Sequence, residues 1–180
     1  MKLLRVGEFG KEKPAALDKN GKIRDLSKHI KDFDHSTLNF STLETLKKVN
    51  LETLPEVTSS TRIGSCIAKP GKFLAVGLNY SDHAAETNAE IPKEPIIFNK
   101  AANCMVGPND NIILPKASKK LDWEIEIAFV VGKNTKYITE KEAPDHILGY
   151  CMVNDISERE WQIERGGLWD KGKSGDTFGP

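Results

Sequence analysis

The most regular pattern in the chain lies between Trp123 and Val131. Trp123, Ile125, Ile127 and Phe129 alternate with Glu124 and Glu126, and the second set continues into Ala128 and Val130. Alternate side chains of a strand share a face, so this spacing predicts a strand over Ile125–Val131, stopped by Gly132. Apolar runs predict further strands at Phe73–Leu78, Ile96–Phe98, Ile112–Leu114 and Leu148–Val153. Ser81–Thr87 reads as a short helix, and Thr139 with Glu142 as a capping box opening a helix to about His146. A polar helix is expected from Ile156 to about Arg165, and Gly166–Pro180 has five glycines and no period.

The first part of the chain has another texture. Met1 to Leu26 reads as short strands with a hairpin turn at Asn20-Gly21. Ser41 to Glu44 reads as a capping box for a helix through about Val49, and Asn50–Thr61 as a loose connection. We therefore expect a small N-terminal α/β segment over residues 1–65 and a larger unit over residues 66–180. Helices interrupt the strands without a βαβ rhythm, which favours a mixed α+β fold over a doubly wound sheet.

Composition narrows the function classes. Hydrophobic residues make up 38% and charged residues 29% of the 180, as in a globular protein. Lys plus Arg and Asp plus Glu number 26 each, so no overall basic field argues for nucleic acid or a membrane surface. No apolar run reaches the roughly 18 residues of a membrane span. Cys66, Cys104 and Cys151 are far apart and form no CxxC pair. Neither a disulfide framework nor a thiolate zinc site is expected, and a reducing cytoplasm with buried structural thiols is the default.

The acidic positions admit two readings. Glu124 and Glu126 are either solvated on a half-exposed strand, or like charges at the mouth of a strand buried on both sides, where a cation would relieve them. Asp155 is either a helix N-cap with Glu158 as its box partner, or a third oxygen donor ending the next strand. Three carboxylates without thiolates suit Mg²⁺, Mn²⁺ or Ca²⁺ better than zinc. His83 and Glu86 are three apart, so on a helix they meet, either as a surface ion pair or as a base and its orienting acid. His29, His35 and His146 have no such setting. Gly167 to Ser174 matches the phosphate-loop pattern G-x-x-x-x-G-K-S, but no buried strand precedes it and no confident helix follows. A nucleotide site is rejected on that context, leaving Lys173 either solvated or aimed at an anion.

Taken in order, these segments resemble the fumarylacetoacetate hydrolase family. The motifs are G-x-N-Y-x-D-H-x-x-E at Gly77–Glu86, P-x-x-F-x-K at Pro95–Lys100 and G-P-x-D at Gly107–Asp110. D-W-E-x-E follows at Asp122–Glu126, then G-Y-x-x-x-N-D-x-S-x-R at Gly149–Arg159 and W-x-x-G-K-S-x-D-T-F-x-P at Trp169–Pro180. The N-terminal residues look like the bacterial branch, which includes enzymes named ureidoglycolate lyase and 2,4-diketo-3-deoxy-fuconate hydrolase. Glu158, Glu160 and Gly175 depart from the usual residues at their positions.

The resemblance implies a β-sandwich-like roll with short helices. It implies Glu124, Glu126 and Asp155 as ligands of Mg²⁺ (or Mn²⁺ or Ca²⁺), and His83 and Glu86 as a water-activating dyad. It further implies Lys173 as the substrate-polarising lysine, with Tyr80, Arg159 and Gln162 lining the substrate pocket. The implied activity is hydrolytic C–C cleavage of a small 2,4-dioxo acid in a cytoplasmic homodimer. Lyase, decarboxylase or tautomerase chemistry on the same enolate is the alternative, and an inactive metal-binding remnant is a further one. Members of the family run on past the Thr-Phe-Gly-Pro motif, so a C-terminal part is expected to be missing, with sheet edges and apolar surface left uncovered.

Overall fold

A computed structural model describes all residues, Met1–Pro180. The N-terminal strands β1 (Lys2–Val6), β2 (Lys13–Leu17) and β3 (Ile23–Asp25) form an antiparallel meander in that order. The β2–β3 turn forms as the sequence predicts. The Gly21 amide donates to the Asp18 carbonyl (3.1 Å), and Gly21 takes a φ of +77° that side chains disfavour. Neighbouring residues of β2 feed opposite faces of the sheet. Ala15 packs with Leu4, Val6 and Ile23, and Ala16 with Leu26, Ile30, Phe33 and Leu46. Fully burying Phe33 or Leu46 contributes about 1.5–3 kcal/mol each.

Helix α1 (Phe40–Lys47) closes the second of those clusters through Leu46. Its cap is Asn39, whose side chain accepts from the Thr42 amide, and not the expected Ser41. The Ser41 carbonyl is occupied by the Thr45 hydroxyl within the helix. Thr139 and Glu142 do bond as a box, the Thr139 amide donating to Glu142 (2.8 Å), ahead of a 3₁₀ turn at Ala143–His146.

The second zone is built from β4 (Leu74–Gly77), α2 (Ser81–Glu86), β5 (Ile96–Asn99), β6 (Leu121–Asp122), β7 (Ile125–Val131), β8 (Ile147–Asn154) and β9 (Ser157–Glu158). They pair antiparallel as β4–β5, β6–β9 and β7–β8. A small core of Cys104, Ile156 and Phe178 lies beneath them. Arg62 ties the two zones, donating to Asp110 (2.5 and 2.7 Å) and to Glu12 (2.8 Å).

Four expectations need correction. No strand forms at Ile112–Leu114, because the Ile113 amide donates to the Thr177 hydroxyl (2.8 Å) in place of a ladder partner. The helix expected from Ile156 is instead β9 followed by a π-helical turn at Glu160–Glu164. Glu158 is no capping partner of Asp155. Its buried carboxylate accepts from the Ser118 hydroxyl and from the Lys119 and Lys120 amides (3.2 Å each). Burial alone would raise that carboxyl, but these donors outweigh it and hold it below its ordinary value. The thiols also differ from expectation, since only Cys104 is buried. Cys66 and Cys151 are half-buried neighbours, and the Cys151 thiol beside it draws Cys66 below its ordinary value.

Strand β7 is not buried on both sides. Ile125, Ile127 and Phe129 are 58–63% exposed, and Tyr150 and Met152 of β8 are exposed with them. The face bearing Glu126, Ala128 and Val130 is the half-buried one. The apolar side of this hairpin has no covering layer within these 180 residues.

Candidate functional site

A cluster of charges forms where β7, β8 and the last short helix, α3 (Asp170–Lys173), meet. The β8 end is knitted to Glu124, whose amide donates to Asn154 Oδ1 (3.1 Å) and whose carbonyl accepts from the Asp155 amide (2.8 Å). That pairing brings the Glu124 and Asp155 carboxylates together. Lys173 bridges them, its Nζ donating to Glu124 Oε2 (2.6 Å) and Asp155 Oδ2 (2.8 Å). Its side chain is 2% exposed, and Nζ also lies 5.2 Å from the centre of the Phe98 ring. The match to the phosphate-loop pattern thus ends in a lysine spent on carboxylates.

Two glycines allow α3 to approach this closely. A Cβ on Gly172 would stand 2.5 Å from the Glu158 carbonyl oxygen and 2.6 Å from the Gln162 nitrogen. A Cβ on Gly77 would stand 2.1 Å from the Trp169 ring, which packs edge-on against Phe98 at 5.5 Å. Real Cβ contacts do not come this close, so both positions require glycine.

Arg159 holds the other side of Glu124. It donates to Glu124 Oε1 (2.5 Å), Asp122 Oδ2 (2.9 Å) and Gln162 Oε1 (3.0 Å). Gln162 is buried on the π-helical turn. Glu126 accepts from Asn79 Nδ2 (3.0 Å). Burial pushes the Glu126 carboxyl above its ordinary value; the charges of Glu124 and Asp155 add to this, while Asn79 and Lys173 oppose it. Lys100 completes the cluster from the end of β5. Its ammonium is 1% exposed by side chain and donates to Asp155 Oδ1 (2.5 Å). Burial pushes it below its ordinary value, against the pull of Asp155.

Glu124, Asp155, Lys173, Arg159 and Gln162 therefore converge, with Glu126 beside them. His83 and Glu86 do not join them by any hydrogen bond or ion pair. Both lie on α2, His83 half-buried and Glu86 exposed, and they are not bonded to each other. Tyr80 immediately precedes α2 and is 43% exposed. Asn79, Lys100 and Asp122 belong to the cluster without having been singled out from the sequence. Each stands inside a quoted motif, but its partners lie 47, 55 and 37 residues away.

The donor set is oxygen-only, which fits a hard divalent cation such as Mg²⁺ or Mn²⁺. The like charges that raise Glu126 are of the kind a cation relieves. The spacing is closed, however. No three potential ligands stand together as a cage, and Lys173 holds the place between Glu124 and Asp155. A hollow of about 390 Å³ lies elsewhere, lined by Phe9, Arg62, Asp110 and Thr177 among others. Arg62 and Asp110 are spent on each other there.

A family profile described as "Fumarylacetoacetate (FAA) hydrolase C-terminal" matches residues 72–180, which contain the whole cluster. The chain belongs to the fumarylacetoacetate hydrolase family. A curated protein of Burkholderia ambifaria, whose name goes no further than "hydrolase", is 53% identical over 180 residues, covering 100% of this chain and 64% of the relative. A fumarylacetoacetate hydrolase from the psychrophile Exiguobacterium antarcticum superposes with a TM-score of 0.79 at 27% identity, covering 100% of this chain and 64% of that one. A 5-carboxymethyl-2-hydroxymuconate delta-isomerase from Mycobacterium smegmatis gives 0.73 at 28% identity, covering 100% and 63%. The fold is thus the mixed α+β fold of the fumarylacetoacetate hydrolase family, and the chain spans 64% of the length of the curated relative. No helix is long and apolar enough to cross a membrane.

Proposed function

We propose that this chain carries the reaction centre of a divalent-metal-dependent hydrolase that cleaves a C–C bond in a small 2,4-dioxo acid. The observation that carries the reading is the buried Lys173 ammonium held between Glu124 and Asp155. Mg²⁺ or Mn²⁺ would be held by Glu124, Glu126 and Asp155. Bound there, the cation supplies Lewis-acid stabilisation of the enolate left by C–C cleavage.

The chain's own groups do the remaining work. Arg159, fixed by Asp122 and Gln162, offers a planar cation to the substrate carboxylate. The Lys173 ammonium donates a hydrogen bond to the developing oxyanion, a preorganised charge in a largely dry site. Its release from Glu124 and Asp155 is the rearrangement that makes it available. His83 takes the proton of the attacking water, with Glu86, one turn further along the same helix, orienting the ring when their side chains meet. Tyr80, at the start of α2, lines the same approach. The working unit is a homodimer acting on a free oxo acid.

The separation of His83 from Glu86 favours a second reading. Without an activated water, the same enolate chemistry yields isomerisation, decarboxylation or lyase cleavage of a related 2-oxo acid, including substrates of the ureidoglycolate type. The test is loss of acylpyruvate enol absorbance with Mg²⁺ and then with excess chelator. Metal-dependent loss with stoichiometric pyruvate supports the hydrolase. Turnover of isomer or decarboxylation substrates alone replaces it with the second reading.

A further inference from the structure

Lys100 follows β5 directly and is 2% exposed. Its Nζ has three acceptors: Asp155 Oδ1 (2.5 Å), the Lys173 carbonyl (2.5 Å) and the Ile156 carbonyl (3.3 Å). An ammonium has three donors, so its capacity is filled and it has no free proton for substrate. Its backbone is pinned as well, the amide donating to the Phe73 carbonyl (2.9 Å). The next residue continues the tie, the Ala101 amide donating to the Ser174 hydroxyl (2.9 Å).

Lys100 and Lys173 thus divide Asp155 between them. Lys100 takes Oδ1 and Lys173 takes Oδ2. They differ in what they can leave behind. Lys100 is locked by two backbone carbonyls besides the carboxylate. Lys173 is bonded only to side-chain carboxylates, Glu124 and Asp155. Lys100 also grips the carbonyl of Lys173 itself, so one side chain fixes both the carboxylate and the backbone from which the second lysine springs.

We propose that Lys100 is a positioning residue of this site, which immobilises Asp155 by one oxygen and Lys173 by its carbonyl. Asp155 Oδ2 and Lys173 Nζ are thereby left as the exchangeable pair. The inference rests on the functional reading above, because it assumes that these two atoms are the ones that act. A cation or substrate arriving at the cluster displaces Lys173 from Oδ2 without releasing Asp155, whose second oxygen stays on Lys100. Without Lys100, Asp155 is held by Lys173 alone, and the Lys173 carbonyl loses its tie to the end of β5, where the bonds of Asn99 to Asp170 and of Ala101 to Ser174 remain.

The test compares Lys100→Met with Leu46→Ala, a cavity variant in the N-terminal core, and with the unaltered chain. Two quantities are read without substrate: Mn²⁺ binding by titration, and the acetylation rate of Lys173 by trace labelling and mass spectrometry. Lys100→Met should weaken Mn²⁺ binding about tenfold or more. It should also raise Lys173 labelling about threefold or more, through local opening of its seat. Leu46→Ala, which lowers stability without touching the cluster, should change neither. If Lys100→Met does not fold, Lys100→Gln is measured against the same two criteria. Lys173 labelling in the Lys100 variant equal to that in Leu46→Ala would overturn the proposal and leave Lys100 a plain core lysine. Failure of the unaltered chain to bind Mn²⁺ would sink the metal-centre reading separately, with the labelling result still deciding the role of Lys100.

Discussion

Replacing Lys173 by Met removes one buried ammonium from between two carboxylates and keeps the length of the side chain. Breaking a buried ion pair by deleting one partner costs about 3–5 kcal/mol when the other is left alone. Here neither carboxylate is left alone. Asp155 keeps Lys100 and Glu124 keeps Arg159, each at 2.5 Å. The cost therefore falls below that range, at about 2–3 kcal/mol. For a chain of this size that is a drop in Tm of about 4–12 °C. Urea unfolding near neutral pH followed by circular dichroism measures it. A loss under about 0.5 kcal/mol, the size of a surface change, would refute the bridging role.

Three further outcomes follow from particular contacts. Gly172→Ala puts a Cβ against the Glu158 carbonyl and Gln162 nitrogen, which are backbone atoms, so a loss of about 2 kcal/mol is expected in the same unfolding assay. Asp34, drawn down to about 2 by the Ser36 and Thr37 donors, gives stability that is present above its ordinary value of 3.8 and lost as pH falls through 2. Asp34→Asn should then be less stable by about 1 kcal/mol near neutrality, allowing for solvent screening, with the difference shrinking as pH falls and vanishing only below pH 2. Ile127→Lys on the uncovered face of β7 should lower binding of an apolar dye by this chain while leaving its melting temperature nearly unchanged; unaltered dye binding would show that face is not the exposed apolar surface.

The strands β7 and β8 were legible because each carries a sustained apolar run, and the Asn20-Gly21 turn because only a few residue types accept its backbone angles. Which face of β7 turns inward was not legible. The isoleucines are the more apolar set, yet the glutamate face packs inward because Lys173 and Asn79 reach it from distant segments. The helix expected after Asp155 failed for a similar reason. Glu158 looks like a local capping partner, but its carboxylate is captured by a loop 38–40 residues earlier. Glu124, Asp155, Lys173, Arg159 and Gln162 were named through the resemblance and do converge, whereas the His83–Glu86 contact is not formed. Lys100 was visible only as the last letter of a motif. Its role depends on acceptors 55 to 73 residues away, which no local pattern encodes.

The most direct test of the carboxylate–lysine cluster as the reaction centre is a crystal of this chain soaked with Mn²⁺ and oxalate, mapped by anomalous scattering. The account predicts one Mn²⁺ peak contacted by Glu124, Glu126 and Asp155, with Lys173 withdrawn from Asp155 and Lys100 unmoved. A peak elsewhere, or none with Lys173 still bridging Glu124 and Asp155, would contradict it.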